Sequence, residues 1–90
     1  MQFEWDADKA GGNVRKHGIS FVEGITVFDD AQAITITDPL HSIAEDRYID
    51  IGYSSQGRLL VIVYTQRAAR VRVISCRKAT NAERIIYERR

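Results

Sequence analysis

Cysteine and proline are nearly absent from this 90-residue chain, which has one of each. No apolar stretch approaches the ~20 residues that span a membrane, and residues 1–6 carry no charged leader before an apolar run. The single cysteine, Cys76, excludes an internal disulfide framework and suits the reducing cytoplasm. Pro39 falls in a predicted loop, and no linker, repeat or low-complexity tract divides the chain. We expect one domain, residues 1–90, that is not attached to a membrane.

Net charge is also small, because 13 Lys and Arg residues against 12 Asp and Glu residues give +1 at pH 7. A balance this close to zero excludes a global positive field, so any binding of nucleic acid must come from a local patch. Ten of the basic residues are arginine, and four lie within eleven positions: Arg67, Arg70, Arg72 and Arg77. A guanidinium grips phosphate with two parallel hydrogen bonds, so this composition favours phosphate binding. A solvated strand surface with salt bridges explains the spacing equally well.

Motifs of familiar catalytic and DNA-binding sites are missing. The sequence has no Ser/His/Asp triad, no Cys/His nucleophile pair, no glycine loop that cradles phosphate, and no helix-turn-helix or zinc-finger pattern. The acidic segment around Asp38, His41 and Glu45 matches no metal-ligand spacing. We therefore expect no metal and no cofactor.

Capping residues predict three helices. Asp6 is a good N-cap for a helix that runs to His17 and ends at Gly18, although Gly11 and Gly12 weaken it. A capping box formed by Ser20 and Glu23 opens a second short helix that stops near residues 29–30. A second box, Thr80 and Glu83, opens a C-terminal helix, and Ala82, Ile85 and Ile86 are expected to face the sheet.

Strand patterns fill the remainder of the chain. Residues 2–5 form a short strand, and alternating residues predict strands at 34–37 and 49–53. The run 59–64 is apolar throughout, which predicts a central strand covered on both faces. Residues 70–76 pair back onto it. The fold class is α+β: an antiparallel sheet of about four strands, packed by two N-terminal helices and one C-terminal helix.

The arginine-rich strand is expected to form a hairpin with the central strand. Arg70 and Arg72 point to one face because side chains alternate along a strand. We predict a register with Tyr64 opposite Arg70, which brings a phenol and two guanidiniums to one surface. A slip of one residue would move the arginines to the side of Val61 and Val63.

Candidate residues also lie outside the hairpin. His17 could transfer a proton near neutral pH, but a histidine before a C-terminal glycine is more often a capping residue. Lys9, Asn13 and Lys16 share one helix face, which is either a phosphate contact surface or simply solvated. Trp5 is expected to be half-buried, with stacking on an RNA base as the alternative.

The segment from Glu45 to Tyr48 contains a carboxylate close to an arginine. Glu45 could orient Arg47 toward a phosphate, or the two could form only an ion pair at the start of a strand. Taken alone, the residues support no more than a small α+β domain with an arginine-rich sheet face.

Several short strings, in a fixed order over nearly the whole chain, resemble the BrnT family of bacterial toxins. They are FEWD at 3–6, NVRKHGISF at 13–21, VFDD at 27–30, DRY at 46–48, GRLL at 57–60, VYT at 63–65 and ISCRKAT at 74–80. The chain departs from the family pattern at Ala31, at Cys76 and at Gly11-Gly12, and these differences concern stability more than chemistry.

The resemblance implies a RelE-like ribonuclease toxin of a type II toxin-antitoxin system, which cleaves RNA and inhibits translation, causing growth arrest. It also implies a BrnA-like ribbon-helix-helix antitoxin that binds promoter DNA, so that the toxin reaches DNA only through the antitoxin. We expect a hetero-oligomer, a dimer of heterodimers. In metal-free cleavage the 2′-hydroxyl of the RNA is the nucleophile, which fits the missing triad.

Roles follow from residue chemistry together with this resemblance. Arg70 and Arg72 are expected to bind the scissile phosphate, with Arg77 and Arg67 beside it. Tyr64 or His17 would assist proton transfer. Further contacts to RNA are assigned to Arg67, Lys9, Lys16, Arg47 and Trp5. Two alternatives stay open: a non-catalytic module whose arginines bind an acidic partner, and an inactivated enzyme that serves as co-repressor of a DNA-binding antitoxin.

Overall fold

A computed structural model describes residues 1–38, 40 and 45–89. Its elements, in chain order, are β1 (Gln2–Glu4), α1 (Ala7–His17), α2 (Phe21–Gly24), a 3-10 helix (Ile25–Asp29), β2 (Ile34–Thr37), β3 (Arg47–Tyr53), β4 (Leu59–Arg67), β5 (Arg70–Lys78) and α3 (Asn81–Glu88). The α+β class is confirmed. His41, which belongs to the acidic segment examined for metal ligands, lies outside the described residues.

The caps of α1 are as the sequence predicts. The Asp6 carboxylate accepts hydrogen bonds from the backbone N–H groups of Asp8 and Lys9, at 2.8 and 3.1 Å. Gly18 ends the helix with φ 71°, a left-handed conformation that glycine adopts without a Cβ clash. Both ends are therefore set by local chemistry.

The second helix is shorter than predicted. Ser20 caps α2 by accepting from the Glu23 N–H at 3.0 Å, but α2 has four residues before the chain tightens into the 3-10 helix. The Glu23 carboxylate does not close the capping box. It accepts instead from Arg58 and from the Ser54 hydroxyl, the latter at 2.7 Å. A part-buried ion pair across the fold has replaced a local bond.

The sheet has five strands in the order β1-β5-β4-β3-β2. The prediction of an antiparallel sheet of about four strands was wrong in this respect, because β1 joins the edge of β5 in the parallel sense and makes the sheet mixed. The other pairs are antiparallel. The central position predicted for residues 59–64 is confirmed, since β4 lies between β5 and β3 and is buried along most of its length.

Each face of the sheet carries its own apolar cluster. On one side, which we call the helical face, Ile19, Phe21 and Val27 pack on residues of β4 and β5: Leu60, Ile62, Val73 and Cys76. Ala10 of α1 joins this cluster. On the other side, Tyr87 of α3 packs on Ile51, Leu59 and Val61.

The face of α3 that meets the sheet differs from the predicted one. Ile85 and Ile86 are each 49% exposed and Ala82 is exposed, whereas Tyr87 is buried. The Tyr87 ring meets Tyr53 edge to face and its hydroxyl donates to Asp30 at 2.7 Å. A tyrosine buries more apolar area than an isoleucine, and here its hydroxyl also has an acceptor. Tyr87 therefore faces the sheet instead of Ile85 and Ile86.

The β4–β5 hairpin closes through a two-residue turn, Ala68-Ala69, with Arg67 opposite Arg70. Tyr64 lies opposite Val73, so the predicted register with Tyr64 opposite Arg70 was wrong. Ala68 has φ 53°, a conformation that turns usually assign to glycine or asparagine. The tight turn therefore lacks the residues by which a sequence normally reveals it.

A β-bulge interrupts the same hairpin. Val63 pairs with Ser75 while the next residue, Tyr64, pairs with Val73, which leaves Ile74 as the extra residue of β5. Side-chain alternation in β5 shifts by one position there. The bulge decides which side chains of β5 share a face.

Candidate nucleic-acid interface

Five arginines lie on the face of the sheet opposite the helical face. Arg70 and Arg72 point there together with their β4 partners Arg67 and Thr65. Because of the bulge at Ile74, Arg77 joins the same side, opposite Val61, even though its position differs from that of Arg72 by an odd number. Arg47 of β3 also lies opposite Thr65. We call this surface the arginine face: Arg47, Arg67, Arg70, Arg72 and Arg77.

A row of polar side chains crosses four adjacent strands on this face. Glu4 of β1 is opposite Arg72 of β5, Arg72 is opposite Thr65 of β4, and Thr65 is opposite Arg47 of β3. The groups along the row are therefore, in order, a carboxylate, a guanidinium, a hydroxyl and a second guanidinium. Directly opposite residues have Cβ atoms about 5 Å apart, a spacing that lets neighbouring groups act on one bound anion.

Carboxylates pair with most of the arginines. Arg72 Nη1 lies 2.9 Å from Glu4 Oε2, and Arg70 Nη1 lies 3.6 Å from Glu4 Oε1. Arg67 bonds Glu45 through two nitrogens, at 2.8 and 3.2 Å. Arg77 grips Glu83 with both terminal nitrogens, at 2.7 and 2.8 Å. Three glutamates thus pair with four of these arginines, so guanidiniums outnumber carboxylates in these pairs.

The acidic partners are held ionised. The hydrogen bond from Arg72 lowers the pKa of Glu4, and the bond from Arg67 lowers that of Glu45. The Arg77 guanidinium holds the pKa of Glu83 at about 2. Most of the arginine side chains are a third or more exposed, from 30% for Arg72 to 61% for Arg70. Such exposed pairs are weak, and a phosphate can replace the carboxylate at little cost.

Tyr64 lies on the helical face, away from the arginines. Its ring packs against Phe28 and Tyr48, and its hydroxyl donates to Asp50 at 2.8 Å. Burial and this bond raise the pKa of Tyr64, while burial raises the pKa of Asp50. The phenol is therefore bound inside the fold and separated by the sheet from the guanidiniums.

The α1 candidates also lie on the helical side. Lys9 and Lys16 are exposed, and His17 is half-buried at the C-terminus of the helix, whose Ala10 packs into the helical-face cluster. Asn13 is buried and its side chain bonds the backbone of Cys76 twice, at 2.7 and 3.1 Å. The Lys9, Asn13 and Lys16 face is thus partly structural.

Trp5 and Cys76 belong to the core. Trp5 is half-buried and meets Phe21 edge to face, with ring centroids 5.8 Å apart. Burial raises the pKa of the Cys76 thiol to about 12, which leaves it protonated and a poor nucleophile. In the described part of the chain, no three His, Cys, Asp or Glu side chains form a group that could hold a metal ion.

Comparison with known proteins gives a family and a solved structure of similar fold. Residues 5–83 match the model of the BrnT family, described as the ribonuclease toxin of a type II toxin-antitoxin system. The chain belongs to the BrnT family. Among solved structures, the crystal structure of the Brucella abortus ribonuclease toxin BrnT matches with a TM-score of 0.66 and 23% identity, covering 90% of this chain and 99% of that one. No curated protein matches in sequence.

Membership of the BrnT family makes this protein a type II toxin with an antitoxin partner, at the level of the family description. The roles of individual side chains stay predictions. Within the described residues, no helix has the length and apolar character needed to cross a membrane.

Two polar residues of this BrnT surface were not identified from sequence. Glu4 reaches the arginines only because β1 pairs in parallel with β5, and a three-residue strand carries no signal for a partner some seventy positions away. Thr65 lies near the end of β4, where apolar residues give way to polar ones, and it is 1% exposed. Its sequence neighbours look like an ordinary strand, so only the register reveals that it lies between two arginines.

Proposed function

We propose that this protein is a metal-independent endoribonuclease that cleaves RNA in the cytoplasm, inhibits translation and arrests growth. The row Glu4, Arg72, Thr65 and Arg47 is the observation that carries the proposal, because it combines phosphate-binding guanidiniums with a carboxylate on one open surface. Arg70 and Arg72 bind the scissile phosphate, while Arg67 and Arg77 lie beside it.

The 2′-hydroxyl of the substrate is the nucleophile in this mechanism. Its oxygen attacks the phosphorus, the bond to the 5′-oxygen breaks, and the products end in a 2′,3′-cyclic phosphate and a 5′-hydroxyl. Glu4 accepts the 2′ proton, since it is ionised and adjacent to both phosphate-binding arginines. The departing 5′-oxygen takes a proton from solvent. Tyr64 is left out because the sheet separates it from this surface, and His17 because its helix packs on the helical face.

Guanidiniums serve this reaction through charge. Negative charge on the phosphate oxygens grows toward the transition state, and fixed donors stabilise it more there than in the bound substrate. In the free protein the Glu4 carboxylate takes the place of a phosphate by pairing with Arg72. Binding of a phosphate releases the carboxylate from Arg72 and leaves it available as the proton acceptor.

The antitoxin in this proposal is a BrnA-like ribbon-helix-helix protein that covers the arginine face with acidic or apolar groups. The complex, a dimer of heterodimers, binds promoter DNA through the antitoxin. Family membership supports an antitoxin partner, and the excess of guanidiniums over carboxylates supports an acidic contact.

The first prediction tests the cleavage chemistry with the purified toxin freed of antitoxin. Arg72→Ala or Arg70→Ala should lower the cleavage rate on the order of 10²-fold, because each removes one transition-state donor. The fold should survive, because exposed arginines contribute little stability. Arg15→Ala, an exposed arginine on α1, is the matched control and should cleave at the normal rate. Glu4→Gln should abolish the rise of the rate with pH that a carboxylate base produces.

Product ends and metal dependence complete this test. The downstream products, which begin with a 5′-hydroxyl, should be substrates for a polynucleotide kinase without prior phosphatase treatment, and EDTA should have no effect. Loss of cleavage in EDTA with recovery on adding a divalent ion, or full toxicity in the double arginine variant, would overturn the assignment and direct attention to Asp38, His41 and Glu45.

A second candidate function is a non-catalytic or inactivated co-repressor that binds its antitoxin through the same arginines. The observation that favours it is the pairing of Arg67, Arg72 and Arg77 with carboxylates in the free protein, which an acidic partner could replace without any reaction. Absence of RNA cleavage by the antitoxin-free wild-type protein, with the promoter complex intact, would select this function.

A further inference from the structure

Thr65 has a buried hydroxyl that finds no hydrogen-bond partner among the described residues. The residue is 1% exposed, and its Oγ1 is an unpartnered buried polar atom within the described part of the chain. An unsatisfied buried hydroxyl destabilises the fold, so folded proteins rarely keep one without a use. A valine of nearly the same shape would fill the position without this cost.

The surroundings of Thr65 suit an anion. Its direct partners across the two neighbouring strands are Arg72 and Arg47, one on each side. Arg72 is drawn away toward the β1 side by its 2.9 Å bond to Glu4. Thr65 therefore lies between two arginines in the sheet, and its hydroxyl has no acceptor within the described residues.

We propose that Thr65 is a phosphate-positioning residue, whose hydroxyl donates to a non-bridging oxygen of the RNA phosphodiester held between Arg72 and Arg47. This inference rests on the proposed function. Thr65 is 1% exposed in the free protein, so the side chains that cover it move aside when the phosphate binds. A neutral donor beside two charged ones fixes the orientation of the phosphate and places the 2′-oxygen in line with the leaving oxygen.

Thr65→Val tests the proposal because it removes the hydroxyl and keeps the shape. Cleavage by this variant should fall on the order of a hundredfold, while Thr65→Ser should stay close to the wild-type rate. The urea midpoint of Thr65→Val should equal or exceed that of the wild type, since an orphan polar atom has gone. If Thr65 had only a structural role, Thr65→Val would cleave at close to the wild-type rate and would have a lower urea midpoint. Thr37→Val, on the exposed part of β2, is the control.

Binding separates this inference from the proposed function. A 2′-O-methyl RNA cannot be cleaved, and its affinity should be lower for Thr65→Val than for Thr65→Ser or the control. If the wild type does not cleave RNA, the proposed function fails, and the binding series still decides whether Thr65 contacts phosphate. Wild-type cleavage and wild-type affinity in Thr65→Val would overturn the inference while leaving the proposed function intact. A lowered urea midpoint in that variant would also overturn it.

Discussion

At the scale of single residues, the same chemical group has different uses according to what it contacts. Asn13 resembles an exposed helix residue in the sequence, yet its amide bonds the Ile19 carbonyl and the N–H and C=O of Cys76. It satisfies backbone groups of β5 beyond the point where the three-residue β1 ends. Glu83 likewise has two tasks, since it caps α3 at the Thr80 N–H and grips Arg77.

Glu83 makes a pH-dependent contribution to stability. Its pKa falls from a usual 4.5 to about 2, mainly through Arg77. A lowered folded-state pKa means that the contribution is complete above about pH 4.5 and is lost as the pH falls toward 2. Glu83→Gln keeps the capping geometry and removes the charge, so it should lower the free energy of unfolding at pH 7 by about 1–2 kcal/mol, discounted for the exposure of Arg77.

Urea unfolding at a series of pH values measures this effect. The difference in free energy of unfolding between the wild type and Glu83→Gln should become smaller as the pH falls from about 4.5 toward 2. Glu88→Gln, at an exposed position of the same helix, should behave like the wild type. A difference in free energy of unfolding that stays constant with pH would show that the ion pair between Glu83 and Arg77 is not its cause.

At the scale of elements, two glycines show where helix propensity matters and where close packing matters. Gly12 lies inside α1, and a Cβ there would come no closer than 3.7 Å to Arg15 Nη2, an ordinary contact. A Cβ on Gly24 would lie 2.8 Å from Cys76 Sγ and 3.2 Å from its Cβ. α2 therefore approaches β5 more closely than any side chain allows, whereas α1 has room.

Two alanine substitutions should consequently act in opposite directions. Gly12→Ala should stabilise by about 1 kcal/mol through helix propensity and reduced freedom of the unfolded chain. Gly24→Ala should destabilise by about 1–3 kcal/mol because the core is overpacked. Chemical unfolding followed by circular dichroism measures both. A loss of stability in Gly12→Ala, or none in Gly24→Ala, would contradict this account of the two helices.

At the scale of the whole molecule, the sheet divides two tasks. The helical face builds most of the core, and α3 covers only part of the other face, around Ile51, Leu59 and Val61. The uncovered part carries Arg47, Arg67, Arg70 and Arg72, whereas Arg77 lies beside α3 and pairs with its Glu83. A protein with a net charge of only +1 thus has a basic surface, because five of its ten arginines lie on one side of the sheet.

Co-expression with the product of the neighbouring gene should yield a stable complex in which this surface is covered. Charge steering makes the association fast at low salt and slower at high salt, because screening weakens attraction between exposed charges. Association rates measured at several salt concentrations test this, with Arg15→Ala as the control of unchanged slope. Recovery of only monomeric toxin would count against the antitoxin proposal.

Local chemistry in the sequence was sufficient for much of this protein. Asp6 and Gly18 set the ends of α1, Thr80 with Glu83 set the start of α3, and the apolar run of β4 marked the centre of the sheet. Each of these signals acts over a few residues, through a cap, a turn or an alternation. The arginines themselves, and the resemblance to BrnT, were also legible without coordinates.

Only tertiary structure decided which groups meet. The parallel pairing of β1 brings Glu4 to Arg72, the tight turn at Ala68 sets the hairpin register, and the bulge at Ile74 brings Arg77 to the same side. That register also sends Tyr64 to the opposite face. Side chains alternate with a period of two, so a shift by one residue exchanges the faces, and the energies that choose the register come from packing between distant segments.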